Sequence, residues 1–342
     1  MYKYLLLVAV SCVSLPASAF DYFQALPRQV PVPKDNPLTK AKIELGKKLF
    51  FDARLSRANT HSCNTCHNVK TGASDARAVS PGADGQTTRR NTPTLWNIGF
   101  QTVLFWDGRA KSLEDQFQQH IVDRQISGYT EPSELLKRLR AIPGYVTEFK
   151  AVFASDISLV NVAQALASFE RSLLTPNSRY DRYLRGDKNA LNAQELRGKE
   201  EFRNVECLSC HFGVNFAGPA PGPALHMGDG FYELFPNHPG SSYDASHHIA
   251  DDLGVFEFDH DPAHRRLWRV PPLRNIALTA PYFHNGSAAT LEDAVRIMAK
   301  VQLKKDLSQQ QVADLVAFLN SLTGNIPNIT PPRLPDDPAV QR

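Results

Sequence analysis

"HSCNTCHNVK", residues 61–70, gathers two thiols and an imidazole into one short cluster, Cys63, Cys66 and His67. "ECLSCH", residues 206–211, repeats it with Cys207, Cys210 and His211. The chain has five cysteines, and the only one outside these clusters is Cys12, in a leader-like N-terminus. In an exported protein an isolated Cys-x-x-Cys reads as a disulfide or a thioredoxin-like dithiol. The histidine directly after both copies discriminates, because Cys-x-x-Cys-His is the attachment motif for c-type haem. Its thiols add to the haem vinyl groups, and the following imidazole falls on the iron. A tetrahedral zinc site needs four ligands from other spacings, which this arrangement makes awkward. Two copies predict two covalently bound haem c groups.

The leader, "MYKYLLLVAVSCVSLPASAF" (1–20), has Lys3, an apolar stretch from Leu5 to Leu15 and the small residues Ala17, Ser18 and Ala19. That pattern predicts a secretory signal peptide over 1–19, cleaved near Ala19, and a periplasmic mature protein. A lipoprotein reading at Cys12 is weaker, since Ala9 stands where a larger apolar residue belongs. No later segment approaches about 20 uninterrupted apolar residues, so no membrane span is expected. Lys and Arg number 38 against 35 Asp and Glu, mixed along the chain, which argues against a nucleic-acid partner.

His67 and His211 stand 144 residues apart, which suggests one haem per domain. "TKAKIELGKKLFFDARLS" before the first motif and "NAQELRGKEEFRNVECLSCH" at the second share a helix with Gly and Phe, a faint internal duplication. "SELLKRLRAI" and "LVNVAQALASFERSLLT" continue the helical pattern, and 308–322 forms a last helix started by Ser308 with Gln311 three residues on. Convincing strand alternation is absent. The expected fold is mainly α: two cytochrome c-like haem domains, 20–175 and 176–342, with long loops and Pro-rich extended arms at both ends. The polar, turn-rich stretch 175–192 reads as the boundary.

With these motifs in order, the sequence resembles the bacterial dihaem cytochrome c peroxidases and their relatives, the MauG group. "RRNTPTLWN" (89–97), "FWDGRAKSLEDQ" (105–116), "VPPLRNIALTAPYFHNGS" (270–287) and "LEDAVRIMAKVQL" (291–303) carry the likeness over nearly the whole mature chain. The resemblance implies that peroxide reacts at the His67 haem and that electrons enter at the His211 haem. It implies Met298 as second ligand of the latter, on a helix face with Leu291, Ala294 and Val301. A soft thioether raises the potential, which suits electron uptake; the MauG group has Tyr there. It further implies Trp106 between the haems, His284 near the electron-transfer haem, and one calcium ion held by Asn91, Thr279 and Pro281. Read without it, Met298 and Trp106 are core residues, Asn91 and Thr279 turn and cap residues, and His284 a hydrogen-bonded structural histidine. The electron donor implied is a small cytochrome c or cupredoxin. Family members often form homodimers, although no interface pattern stands out here.

The first haem departs from the family pattern. The family's resting-state histidine, 16 residues past the motif, falls on Ala83, and no histidine lies between His67 and His120. This predicts an iron that is open without prior reduction. The acid–base Glu, 20 residues after the tryptophan, falls on Ile126. Gln116 matches the family's distal Gln, but an amide is a poor proton shuttle. His120 stands where the family has Pro, and can supply the proton transfer with a pKa near neutrality or ligate the iron; blandly read, it faces solvent. Asp123 and Gln125 are lesser candidates. His226, His238, His247, His248, His260 and His264 read as exposed residues of a surface insertion rather than a metal site. The sequence therefore favours a periplasmic dihaem peroxidase reducing hydrogen peroxide, with a MauG-like oxidase of a protein side chain and a non-enzymatic dihaem electron carrier as alternatives.

Overall fold

The computed structural model describes residues 23–220 and 228–336. The signal-peptide expectation for 1–19, and His226, lie outside the described residues. Helices carry the fold, as expected. In the first half they are α1 (Lys40–Phe51), α2 (Cys63–Cys66), α3 (Leu113–Ile121), α4 (Pro132–Arg140), α5 (Pro143–Phe153) and α6 (Leu159–Arg171). In the second they are α7 (Arg179–Leu184), α8 (Ala193–Asn204), α9 (Ser242–His247), α10 (Phe256–Asp259), α11 (Leu291–Leu303) and α12 (Gln309–Ser321). A short antiparallel ribbon pairs β1 (Tyr232–Leu234) with β2 (Leu267–Arg269). No helix among the described residues is long and apolar enough to cross a membrane.

Side-chain caps fix where the helices begin. Thr39 accepts the Lys42 N–H, Thr290 accepts that of Asp293, and Ser308 forms a full capping box with Gln311. Each half is then built on one close helix crossing, α1 on α6 and α8 on α12. A Cβ on Gly46 would run into the Ala165 carbonyl, and one on Gly198 into that of Asp314. Phe50 packs on Phe169 in the first crossing and Phe202 on Phe318 in the second, with ring centroids 5.0 and 5.4 Å apart. The duplication faint in the sequence is thus plain in the packing.

Two large apolar cores result, one running from Leu45 to Leu173 and one around Phe202, Phe216, Ile297 and Phe318, with a small third around Leu26, Val30, Phe100 and Val214. The arms cross between them. Phe23, from the N-terminal arm, enters the second core against Tyr180, Phe216 and Phe318. Leu26 donates its N–H to Asp181 Oδ1 at 2.8 Å, and Arg274 reaches Gln24 O at 3.0 Å. Ile326 and Ile329, from the C-terminal arm, pack on the first core. The stretch 175–192 is more than a linker: α7 buries Tyr180 and Asp181 completely, and Asp181 pairs with the buried Arg274 at 3.0 Å.

Candidate active site

Both attachment motifs fold as one tight turn. Ser62 and Thr65 cap the first reciprocally, and the His67 N–H returns to Cys63 O at 2.8 Å. The second is a 3-10 turn over Cys207–Ser209, closed by the His211 N–H on Cys207 O at 3.0 Å. His67 Nδ1 lies 3.2 Å from Ala73 O, and His211 Nδ1 2.9 Å from Phe216 O. A carbonyl that accepts Nδ1–H sets the tautomer and leaves Nε2 for a metal. The four thiols are unbridged. Burial pushes Cys207 up to about 12 and raises Cys63, Cys66 and Cys210 as well. A thioether carries no ionisable proton, so covalent attachment suits thiols held in such surroundings.

The second half opens a large apolar cavity lined by Cys207, Cys210, His211 and Met298. Leu291 and Ala294, on the same face of α11, help to wall it. Around its edge Trp268 Nε1, His284 Nε2 and Gln302 Oε1 are buried without hydrogen-bond partners. A broad apolar slot with attachment thiols, the motif imidazole and unpartnered polar atoms on its wall fits a haem, whose flat apolar ring carries polar substituents.

The same cavity reaches Trp106, Asn91, Thr279, Pro281 and His284, so the structure brings these expected site residues together. Trp106 donates Nε1–H to Asn91 O at 2.8 Å and meets the His284 ring edge-on at 6.5 Å. His284 stacks on Trp268 at 4.3 Å, and its burial pushes the imidazole down to about 4. The loop holding Trp106 is fixed from the other half: Arg269 donates its backbone N–H to Trp106 O and its Nε–H to Phe105 O, at 3.2 and 2.8 Å. Asp107 accepts from both Arg90 and Arg109, and Arg90 also grips Asp252 with two bonds of 2.8 Å. Trp268 and Arg269 were not singled out in the sequence; the only signal for them is their place just before "VPPLRN".

In the first half α3 is capped by Ser112. Gln116 and His120 lie one turn apart, with the Gln116 carboxamide 3.4 Å from His120 Nδ1. The His120 ring stacks on Phe105 at 6.4 Å and is only partly exposed, so it does not face open solvent. Burial, then the neighbouring His67 and Arg109, pushes its pKa down to about 3 rather than leaving it near neutrality. Burial therefore favours the neutral imidazole at His120. Gln125 is exposed, and Asp123 Oδ1 accepts the Gln125 N–H within its own turn at 3.0 Å. No group of three or more His, Cys, Asp or Glu poised for a metal occurs among the described residues. His247, His248 and His264 instead face Ser287 O, Asp251 and Asp259 respectively.

Two helical halves, each with a haem-attachment turn and joined through the half-buried Trp106, define a dihaem c-type redox protein. The family model for di-haem cytochrome c peroxidase matches residues 40–189. Cytochrome c551 peroxidase of Pseudomonas aeruginosa is 40% identical over 94% of this chain and 90% of its own. The methylamine utilization protein MauG of Methylorubrum extorquens is 34% identical over 90% of this chain and 86% of its own. Among solved structures, a MauG-like protein associated with microbial copper homeostasis superposes with a TM-score of 0.77 at 32% identity, over 87% of this chain and 95% of that one. The chain belongs to the dihaem cytochrome c peroxidase and MauG family and is an enzyme of that kind, with two haem c groups.

Proposed function

We propose that this enzyme reduces hydrogen peroxide to water in the periplasm, with two electrons from a small cytochrome c or cupredoxin. The observation that carries the reading is Met298, which lines one cavity with His211 and offers the thioether of a high-potential, electron-accepting site. When bound, the haems supply electron uptake on the His211 side and O–O cleavage on the His67 side. The chain's own residues do the rest. Cys63, Cys66 and His67 hold the first group; Cys207, Cys210, His211 and Met298 hold the second. Trp106 spans the space between them, fixed by Asn91 O and Arg269. The proton transfer from the near peroxide oxygen to the leaving oxygen falls to His120, whose burial lowers its basicity. Gln116 orients that imidazole. Asn91, by its side-chain oxygen, and Thr279 and Pro281, by backbone carbonyls, are the ligands for one calcium ion, a hard cation that suits such oxygens.

A second reading, oxidation of a protein side chain, is favoured by Ile126, which cannot act as the acid–base residue, and by the likeness to a MauG-like structure. Peroxide turnover with a reduced small cytochrome separates the two. Rapid turnover that falls roughly 10²-fold or more in His120→Ala supports the peroxidase and its proton-transfer residue. Negligible turnover by the native enzyme, even after half reduction, overturns it.

A further inference from the structure

The two halves share more than their helix crossings. From Asn97 to His120 and from Asn275 to Met298 the chain repeats its local structure at a constant offset of 178 residues. Asn97 and Asn275 both take left-handed backbone, with φ of 63° and 61°, and so do Phe105 and Phe283, at 64° and 72°. Leu104 bridges Ala110, and Tyr282 bridges Ala288. Ser112 caps α3 through the Asp115 N–H, and Thr290 caps α11 through that of Asp293. The helices then start at Leu113 and Leu291, so His120 and Met298 occupy the same place, seven residues in.

In the second half that place lines one cavity with the attachment histidine, His211. In the first half it lies near enough to His67 for the two imidazoles to influence each other electrostatically. The Gln116 atom nearest the ring is the amide nitrogen Nε2, a long 3.4 Å from His120 Nδ1, so this contact only restrains the side chain and leaves the placement in the repeat to carry the inference. Stacking on Phe105 restrains the ring.

We propose that His120 is the second axial ligand of the His67 haem iron in the resting protein, as Met298 is for the His211 haem. The inference rests on the dihaem reading above and revises the sequence expectation of an open iron. The ligand bond is dative: Nε2 supplies both electrons and keeps them when the bond breaks, so closing and opening change no oxidation state. One lone pair cannot serve iron and proton together, so His120 must leave the iron before it can act on peroxide. The fold makes that easier for His120 than for Met298. α3 ends one residue past His120, at Ile121, whereas α11 continues from Met298 to Leu303.

The test is the spin state of the resting ferric holoprotein, by electron paramagnetic resonance and optical spectroscopy. The native protein is expected to hold both haems low-spin, and His120→Ala to turn one of the two high-spin, with added imidazole restoring the low-spin form. His120→Met keeps a ligand in place and is expected to add a second thioether–iron absorption band, which guards against mere loss of packing. A high-spin haem already present in the native protein overturns the assignment, as does an unchanged spin state in His120→Ala with both haems attached. Peroxide turnover of the half-reduced native enzyme is read separately. A ligand switch in an inactive protein sinks the peroxidase reading alone, and an active enzyme with an open resting iron sinks the ligand alone.

Discussion

Thr175 Oγ1 accepts from Asn97 Nδ2 and from Asn275 Nδ2, each at 2.9 Å, while the Thr175 N–H goes to Asn97 Oδ1 at 3.0 Å. All three residues are buried, and the two asparagines are the matched left-handed positions of the repeat. One hydroxyl therefore ties the halves together. Thr175→Val keeps the shape and removes the acceptor, leaving two buried carboxamide N–H groups short of a partner. It is expected to cost about 2–4 kcal/mol in chemical denaturation. Nothing in the sequence marks this residue, because its partners lie 78 and 100 positions away. Cys63, His67 and their counterparts are legible for the opposite reason: haem attachment needs fixed chemistry at fixed short spacing. His120 lies between these cases. The sequence shows an imidazole in an unusual place, but its half-buried setting and lowered basicity come from a fold that stacks Phe105 on it and brings the charge of His67 within reach.

Among the elements, the long helices could be read from period and cap, as Thr39, Thr290 and Ser308 show. The crossings could not. Gly46 and Gly198 read as shared motif residues, yet their role is to let the carbonyls of Ala165 and Asp314 approach the neighbouring helix. Gly46→Ala is expected to push α1 off α6, and Gly198→Ala to push α8 off α12. Neither clash can be relieved by turning a side chain, so each should cost about 1–3 kcal/mol in thermal unfolding, although alanine is the better helix former. α7 shows the limit of composition. Its surroundings in 175–192 are polar and rich in turn formers, so the stretch reads as a boundary. Tyr180 and Asp181 are buried only because Phe23 and Arg274 arrive from remote parts of the chain to cover and pair with them.

For the whole molecule, the crossed arms make each half depend on the other's end of the chain. Phe23 sits among Tyr180, Phe216 and Phe318, and Phe23→Ala is expected to cost about 3–5 kcal/mol. The denaturant midpoint of the His211 half should fall first, although the substitution lies in the N-terminal arm. The sequence shows the arms as Pro-rich and extended but not which core each one joins, since extended chain carries no periodicity to reveal a buried face. That exchange also orders the protein in time. Phe23 is made 295 residues ahead of Phe318, one of the rings it packs against. At about 5–20 residues per second, it waits roughly 15–60 s before the rest of its pocket has even been synthesised. An early segment is thus among the last to find its seat, and a half-made chain cannot hide that ring.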